Sequence, residues 1–141
     1  MFMDATIVVV DDDPSWRAVT KLALRRSGFR VVPIGDPREA LAAVQRETPT
    51  VVMLDYSMPF MSGLDVAEQL KQELGAACPP MLMVTGNPEV VQRDPSRQLL
   101  VGLLAKPVSV DGLLAELRRV IGGRFVSGVI PVVEHPESST G

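Results

Sequence analysis

Short apolar runs alternate with longer amphipathic segments along most of the chain. Five runs of four to six residues are almost continuously apolar and rich in β-branched side chains, which is typical of strands buried on both faces of a sheet. These predicted strands cover residues 5–10, 31–34, 50–54, 81–85 and 101–105. Apolar residues between them recur at helical spacing and predict helices over 14–27, 37–47, 63–74 and 109–121.

Proline and glycine mark several helix boundaries. Asp13 precedes Pro14, which predicts an N-cap followed by proline at the first helical position, and Gly28 is suited to the residue after the helix end. A further helix, the fourth in chain order, should begin near Asn87. Asp94-Pro95 interrupts it, because proline lacks an N–H and restricts the residue before it. We therefore predict that this helix is short, or split into two single turns.

The order of the elements predicts an α/β fold. Five strand–helix repeats with doubly buried strands imply a parallel sheet with helices on both faces, a three-layer sandwich. The periodic pattern stops at Gly122 and Gly123. We predict one domain over residues 1–121 and a flexible tail or truncated linker over 122–141.

Composition narrows the class of protein. The formal net charge of −3 gives no general attraction to nucleic acid, and the single cysteine, Cys78, fits a reducing compartment. The N-terminus lacks the pattern of a signal peptide, and no apolar stretch approaches the ~20 residues of a membrane helix. These features predict a cytoplasmic protein without a membrane partner. No effector motif follows residue 121, so direct contact with nucleic acid is not expected.

Candidate chemistry follows four of the five predicted strands. In a parallel sheet the carboxyl ends of the strands form one edge, where sites are usually found. Three converging carboxylates would repel one another unless a hard cation such as Mg²⁺ lay among them, and a carboxylate is a competent nucleophile towards phosphorus. An acidic run by itself is a solvated turn about as often as it is a functional site, so the prediction depends on the whole set of residues at the strand ends. The set is Asp11, Asp12, Asp13, Asp55, Thr85 and Lys106.

These stretches resemble the response-regulator receiver family over residues 4 to about 121. The matching segments are VVVDDDP, VVMLDYSMPFMSG, MLMVTG and LLAKP. The resemblance implies a flavodoxin-like sheet of order 2-1-3-4-5. It also implies acceptance of a phosphoryl group from a histidine kinase or histidine phosphotransfer protein, and signalling to a downstream protein through the fourth helix, fifth strand and fifth helix.

Site roles are also implied by the resemblance. Asp55 would be the phosphoacceptor, and Thr85 and Lys106 would contact the phosphoryl group. Asp12 and Asp55 would bind Mg²⁺ directly with the backbone carbonyl of Ser57, and Asp11 would hold a metal-bound water. Pro59 and Gly63 would shape the loop beside the site, and a domain of this kind is not an enzyme acting on a separate substrate.

The chain departs from the family pattern on the output side. Leu103 stands three positions before Lys106, where the family usually has an aromatic switch residue. Gly86 follows Thr85 where alanine is common, which would widen access to the phosphoryl group. Trp16 falls one turn into the first helix and is predicted to pack near the site.

Two alternative functions stay open at this point. The order of Asp11, Asp13, Thr85 and Lys106 also resembles haloacid-dehalogenase-type phosphatases, in which the first aspartate would be the nucleophile. Against that reading, no further strand ends in an acidic pair, and the chain is too short for a substrate-covering cap. The other alternative is a receiver-like binding module that is not phosphorylated.

Overall fold

The computed structural model describes residues 5–122 and the backbone of residues 132–133. Six strands and five α-helices follow one another along this part of the chain. Their bounds are β1 Thr6–Val10, α1 Pro14–Arg26, β2 Arg30–Ile34, α2 Ala40–Glu47, β3 Val51–Asp55, α3 Gly63–Leu74, β4 Met81–Thr85, α4 Pro88–Arg93, β5 Gly102–Ala105, α5 Val110–Ile121 and β6 Val132–Val133. Short 3-10 turns lie at Pro37–Glu39, Gly75–Ala77 and Pro95–Leu99.

All neighbouring strands of the sheet run parallel. Their order is β2-β1-β3-β4-β5-β6, so the predicted order of the first five strands is confirmed. The sixth strand was not predicted; it pairs Val132 with Leu103 and Val133 with Leu104 at the outer edge of β5. Apart from residue 122 and these two, the predicted tail over 122–141 lies outside the described residues, so its flexibility stays a prediction.

Alternate residues of the strands face opposite layers of helices. In β1, Val8 and Val10 pack into a core with α2 and α3, whereas Ile7 and Val9 pack into a second core with α1 and α5. The period of two along each strand therefore builds a core on each face of the sheet. The three-layer sandwich predicted from the apolar pattern is confirmed.

Side-chain caps define where the helices begin. The Asp13 carboxylate accepts hydrogen bonds from the backbone N–H groups of Ser15 and Trp16, as the Asp-Pro pair predicted. Ser62 and Asp65 form a reciprocal capping box at the start of α3. These caps satisfy N–H groups that have no partner within the helix, and they fix the loops that enter α1 and α3.

The fourth helix is short, as predicted. α4 spans six residues and ends at Arg93, and the capping residue Asp94 has an extended backbone with ψ of 132°. Pro95 then begins a separate 3-10 turn, which the Asp94 side chain caps by accepting from the Ser96 N–H at 2.9 Å. The Asp94-Pro95 pair therefore replaces a continuous helical ladder with two short pieces.

Within the described residues, every helix is too short or too polar to span a bilayer.

Candidate functional site

Three strands deliver acidic or hydroxyl side chains to the same edge of the sheet. β1 ends just before Asp11, β3 ends at Asp55, and β4 ends at Thr85. The register pairs Asp55 with Val84 and Thr85 with Ala105, the residue before Lys106. Residues that are far apart in the sequence therefore lie side by side because the strands are parallel.

The three predicted metal ligands with carboxyl groups are brought together. Asp11, Asp12 and Asp55 each offer a carboxylate oxygen, and these oxygens all lie within 4.8 Å of one another. Asp11 and Asp55 are buried, with 1% and 8% of their surfaces exposed, whereas Asp12 is partly exposed. The cluster thus has a buried floor and an open side.

Lys106 is the cation that contacts this cluster. Its Nζ lies 3.3 Å from Asp11 Oδ2 and 3.3 Å from Asp55 Oδ1. The Lys106 backbone N–H donates to the Thr85 carbonyl oxygen at 2.8 Å, so the end of β4 holds the lysine at the site. The peptide bond from Lys106 to Pro107 is cis.

Burial and mutual repulsion govern the charges of the acidic cluster. Burial raises the pKa of Asp55 above its ordinary value, repulsion from Asp11 raises it further, and Lys106 opposes both effects. Burial also raises the pKa of Asp11, and this is offset in part by the Asp13 N–H and by Lys106. One ammonium group therefore does not fully compensate three carboxylates.

The composition of the cluster fits a hard divalent cation. Its donors are all oxygens, and its excess negative charge would be relieved by a positive ion. Mg²⁺ binds such oxygen donors through one or two carboxylates while keeping several waters, which suits a cluster with one open side. Asp11, Asp12 and Asp55 are the side chains that would hold it.

Thr85 and Ser57 are placed less directly. The Thr85 side chain is buried at the edge beside Asp55, and its Oγ1 accepts from the Asn87 N–H at 3.0 Å. Ser57 is exposed in the loop after Asp55. Phosphoryl contact by Thr85 and metal contact by the Ser57 carbonyl stay predictions.

The loop after Asp55 is held tightly against the strand. The Gly63 N–H donates to the Tyr56 carbonyl oxygen at 2.8 Å. A Cβ atom at Gly63 would overlap the Asp55 carbonyl oxygen and approach the Met83 sulfur to 2.8 Å. Glycine is required here by the close approach of two backbone segments.

Within that loop the chain turns sharply at Phe60. The Met61 N–H donates to the Pro59 carbonyl oxygen at 2.9 Å, and the intervening Phe60 has φ of 75°, a conformation uncommon for a bulky residue. The guanidinium carbon of Arg38 lies 3.7 Å from the centre of the Phe60 ring.

Arg17 was not assigned a role from the sequence, and Trp16 was predicted only to pack near the site. Arg17 donates through Nη1 to the Asp11 carbonyl oxygen at 2.8 Å. This hydrogen bond connects α1 to residues 11–13, the acidic loop that follows β1. The ring centre of Trp16 lies 4.9 Å from Lys106 Nζ, in addition to packing against the core beneath it. The available signal was their position in the first turn of the helix that follows the acidic run.

Comparisons with known proteins agree with this architecture. The family model described as the response regulator receiver domain matches residues 7–118. A solved structure of Vibrio cholerae chemotaxis protein CheY4 is 32% identical, with a TM-score of 0.75, over 83% of this chain and 98% of that one. The response regulator TrrA from Thermotoga maritima, solved in complex with Mg²⁺-BeF, is 25% identical with a TM-score of 0.74, over 82% of this chain and 98% of that one.

Curated relatives are longer than this chain. The probable transcriptional regulatory protein TcrX of Mycobacterium tuberculosis is 35% identical over 82% of this chain and 49% of its own length. The DNA-binding response regulator MtrA of Mycobacterium leprae is 38% identical over 82% of this chain and 51% of its own length. The chain thus spans about half the length of these relatives.

These comparisons bear on two sequence-based expectations. Because relatives are named as DNA-binding regulators, the expectation of no direct contact with nucleic acid is not supported. TcrX and MtrA are both named as regulators, which does not support the haloacid-dehalogenase-type phosphatase alternative. Together with the parallel sheet and the acidic edge, the matched family model identifies the chain as a member of the response regulator receiver domain family of two-component signalling.

Proposed function

We propose that Asp55 accepts a phosphoryl group from a phosphohistidine of a histidine kinase or histidine phosphotransfer protein. In this reaction an Asp55 carboxylate oxygen forms a bond to phosphorus while the bond from phosphorus to the histidine nitrogen breaks, which leaves the donor with a neutral imidazole after proton uptake. The observation that carries the proposal is the position of Asp55, buried at the end of β3 with oxygens of Asp11 and Asp12 within 4.8 Å and Lys106 at 3.3 Å.

The residues around Asp55 favour this transfer by position and charge. Phosphoryl transfer depends mainly on alignment and charge neutralisation, because charge spreads over the phosphoryl oxygens in the transition state. The Lys106 ammonium can donate to a phosphoryl oxygen from its position beside Asp55. The Thr85 hydroxyl, one register position further along the edge, is suited to a second such hydrogen bond.

The proposed metal is Mg²⁺, which Asp12, Asp55 and the backbone carbonyl of Ser57 would hold directly and Asp11 would hold through a metal-bound water. When bound, it supplies positive charge against the carboxylates and the phosphoryl oxygens. Support comes from the oxygen-only donor set and from the incomplete compensation of three carboxylates by one lysine. The similar structure of TrrA, which was solved in complex with Mg²⁺-BeF, also supports the proposal of Mg²⁺.

Asp55 is favoured over Asp11 as the nucleophile. Both carboxylate oxygens of Asp11 are engaged, since Oδ1 accepts from the Asp13 N–H at 2.9 Å and Oδ2 lies 3.3 Å from Lys106. The hydrogen bond described for the Asp55 carboxylate involves Oδ1. A phosphatase mechanism with Asp11 as the nucleophile would have to disturb the hydrogen bond from the Asp13 N–H or the contact with Lys106.

The output is proposed to run through α4, β5 and α5 to a downstream protein partner. Leu103, at the usual position of the switch aromatic, is 1% exposed within β5. It has no ring that could move between a buried and an exposed position. The signal would instead pass from Thr85 to Asn87 and into the broken α4 segment, through the hydrogen bond between those two residues.

Intact-protein mass spectrometry tests this proposal. Wild-type protein incubated with acetyl phosphate should gain one phosphoryl group in Mg²⁺ and none in excess chelator. Asp55→Asn should gain none, and Asp12→Asn should require much more Mg²⁺. The matched control is Asp111→Asn, which changes an exposed aspartate at the start of α5 and should behave as wild type. Phosphate gain by Asp55→Asn that is lost in Asp11→Asn would assign the nucleophile to Asp11 and refute the proposal.

A further inference from the structure

The indole ring of Trp16 lies against the ammonium of Lys106. The distance from Nζ to the ring centre is 4.9 Å, within the range of a cation–π interaction. We infer that Trp16 is a positioning residue for phosphoryl transfer, which holds the Lys106 ammonium over the site while its carboxylate partners change. This inference rests on the proposed phosphorylation of Asp55.

The acidic loop itself fixes the position of Trp16. The Trp16 backbone N–H donates to the Asp13 carboxylate at 3.3 Å, so the ring projects from the capped first turn of α1. The side chain is partly buried and packs against the core between α1, α5 and the sheet. The loop after β1 therefore positions Asp11 and Asp12, and the first turn of α1 that continues it positions the ring.

Lys106 approaches from another part of the chain. It follows β5, and 26% of its side chain is exposed. Its ammonium has three described neighbours, which are the carboxylates of Asp11 and Asp55 and the ring of Trp16. A four-carbon lysine stem has many rotamers, so the ammonium needs fixed partners to remain in one place.

These three neighbours differ in what the reaction does to them. Once an Asp55 oxygen is bonded to phosphorus, the carboxylate no longer offers the charge that attracted Lys106. Asp11 belongs to the proposed metal cluster and shares its charge with that site. The ring of Trp16 is neutral and has no oxygen for a metal or a phosphoryl group, so its attraction to the ammonium persists throughout the transfer.

Removing the ring should therefore slow the reaction through the lysine. We expect Trp16→Leu to reduce the initial rate of phosphorylation by acetyl phosphate about three- to ten-fold, in line with a partly desolvated cation–π contact. Trp16→Phe keeps an aromatic face and should retain most of the rate. Leu22→Ala, at a side chain on α1 that is 52% exposed, is the matched control and should have the wild-type rate.

A double-mutant cycle separates positioning from packing. In the Lys106→Met background no ammonium remains to be held, so Trp16→Leu should cause no further loss of rate. It should still lower thermal stability there through lost packing, and by less than in the wild type, where the cation–π contact is lost as well. An equal fractional loss of rate in both backgrounds would mean that Trp16 acts through packing alone, and would overturn the inference. If wild-type protein gains no phosphate at Asp55, the proposed function itself fails, which is a different outcome from an active wild type with an unaffected Trp16→Leu variant.

Fluorescence gives a second readout that leaves Trp16 in place. The chain has one tryptophan, so its emission reports on this ring. Addition of Mg²⁺ and beryllofluoride should change the emission of the wild-type protein as the ammonium adjusts over the ring. The change should be abolished in Lys106→Met and kept in Leu22→Ala. An identical change in Lys106→Met would overturn the inference even if Trp16→Leu failed to fold.

Discussion

Lys106 Nζ lies 3.3 Å from Oδ1 of Asp55, although the two residues are 51 positions apart in the sequence. Asp55 is the last residue of β3, and Lys106 follows β5 with β4 between the two strands. The contact spans the width of β4, and a long side chain is needed to bridge it. This relationship makes the lysine a contact of the proposed phosphoacceptor before any phosphate arrives.

Replacing this lysine should separate metal binding from phosphoryl transfer. In Lys106→Met the apolar stem is kept and the charge is removed, so Mg²⁺ binding measured by calorimetry should be retained or strengthened. The initial rate with acetyl phosphate should fall on the order of 100-fold, the usual effect of losing one preorganised charge-stabilising donor. Lys71→Met, at an exposed lysine of α3, is the control. A wild-type rate in Lys106→Met would contradict the role of the ammonium.

In the metal-free protein, the Asp55 carboxyl should make the folded state less stable as the pH rises. The raised pKa of the Asp55 carboxyl means that the folded state binds this proton more readily than the unfolded chain does. The free energy of unfolding therefore falls between the ordinary pKa of 3.8 and the raised folded-state value, and the destabilisation is complete above the latter. Asp55→Asn has no such proton to lose and should be more stable than wild type at neutral pH.

Urea unfolding in excess chelator checks this expectation. The stability advantage of Asp55→Asn over wild type should shrink as the pH falls from about 7 towards about 4. The advantage or deficit of Asp111→Asn, measured in parallel, should not follow this dependence. An advantage of Asp55→Asn that grows on acidification would show that the sign is wrong.

Two glycines near the site should respond differently to alanine. A Cβ at Gly63 would overlap the Asp55 carbonyl oxygen, whereas a Cβ at Gly86 meets nothing within 4 Å. We expect Gly63→Ala to reduce the free energy of unfolding by about 1–3 kcal/mol, the usual effect of overpacking, and to slow phosphorylation by displacing the strand end. Gly86→Ala should change stability by less than about 0.5 kcal/mol. Equal melting temperatures for both variants would refute this assignment.

The broken α4 region should be the mobile part of the output face. Residues 87–100 form a six-residue helix and a 3-10 turn, so they contain few continuous internal hydrogen bonds. We expect their amides to exchange with solvent faster than those of α5 in the unphosphorylated protein. Beryllofluoride with Mg²⁺ should slow this exchange, because Thr85 is hydrogen-bonded to the first residue of the segment.

Substitutions at Thr85 test that connection. Thr85→Ala removes the oxygen that accepts from the Asn87 N–H and should abolish the slowing of exchange by beryllofluoride. Thr85→Ser keeps the hydroxyl and should preserve it. If residues 87–100 are as protected as α5 before beryllofluoride and unchanged after it, an order–disorder switch in this segment is excluded.

Local sequence determined the elements and their edges. Nearly continuous apolar runs predicted the five buried strands, because a strand that is covered on both faces has no exposed face for polar residues. Asp13-Pro14 specified the start of α1, and Asp94-Pro95 specified the break after α4, because both depend on the backbone chemistry of adjacent residues. The meeting of the acidic residues at one edge could also be predicted from the sequence, because a parallel sheet brings its strand ends together whatever their side chains are.

Which side chains touch across that edge depends on how the strands and helices pack together. The Lys106–Trp16 contact and the hydrogen bond from Arg17 to the Asp11 carbonyl join residues from different elements, and their distances depend on strand register and side-chain direction. The close approach of Gly63 to the Asp55 backbone likewise depends on how the loop folds back onto β3. The pairing of β6 beside β5 had no local signal, because two valines in a stretch with glycine and proline form a strand only where a sheet edge is available.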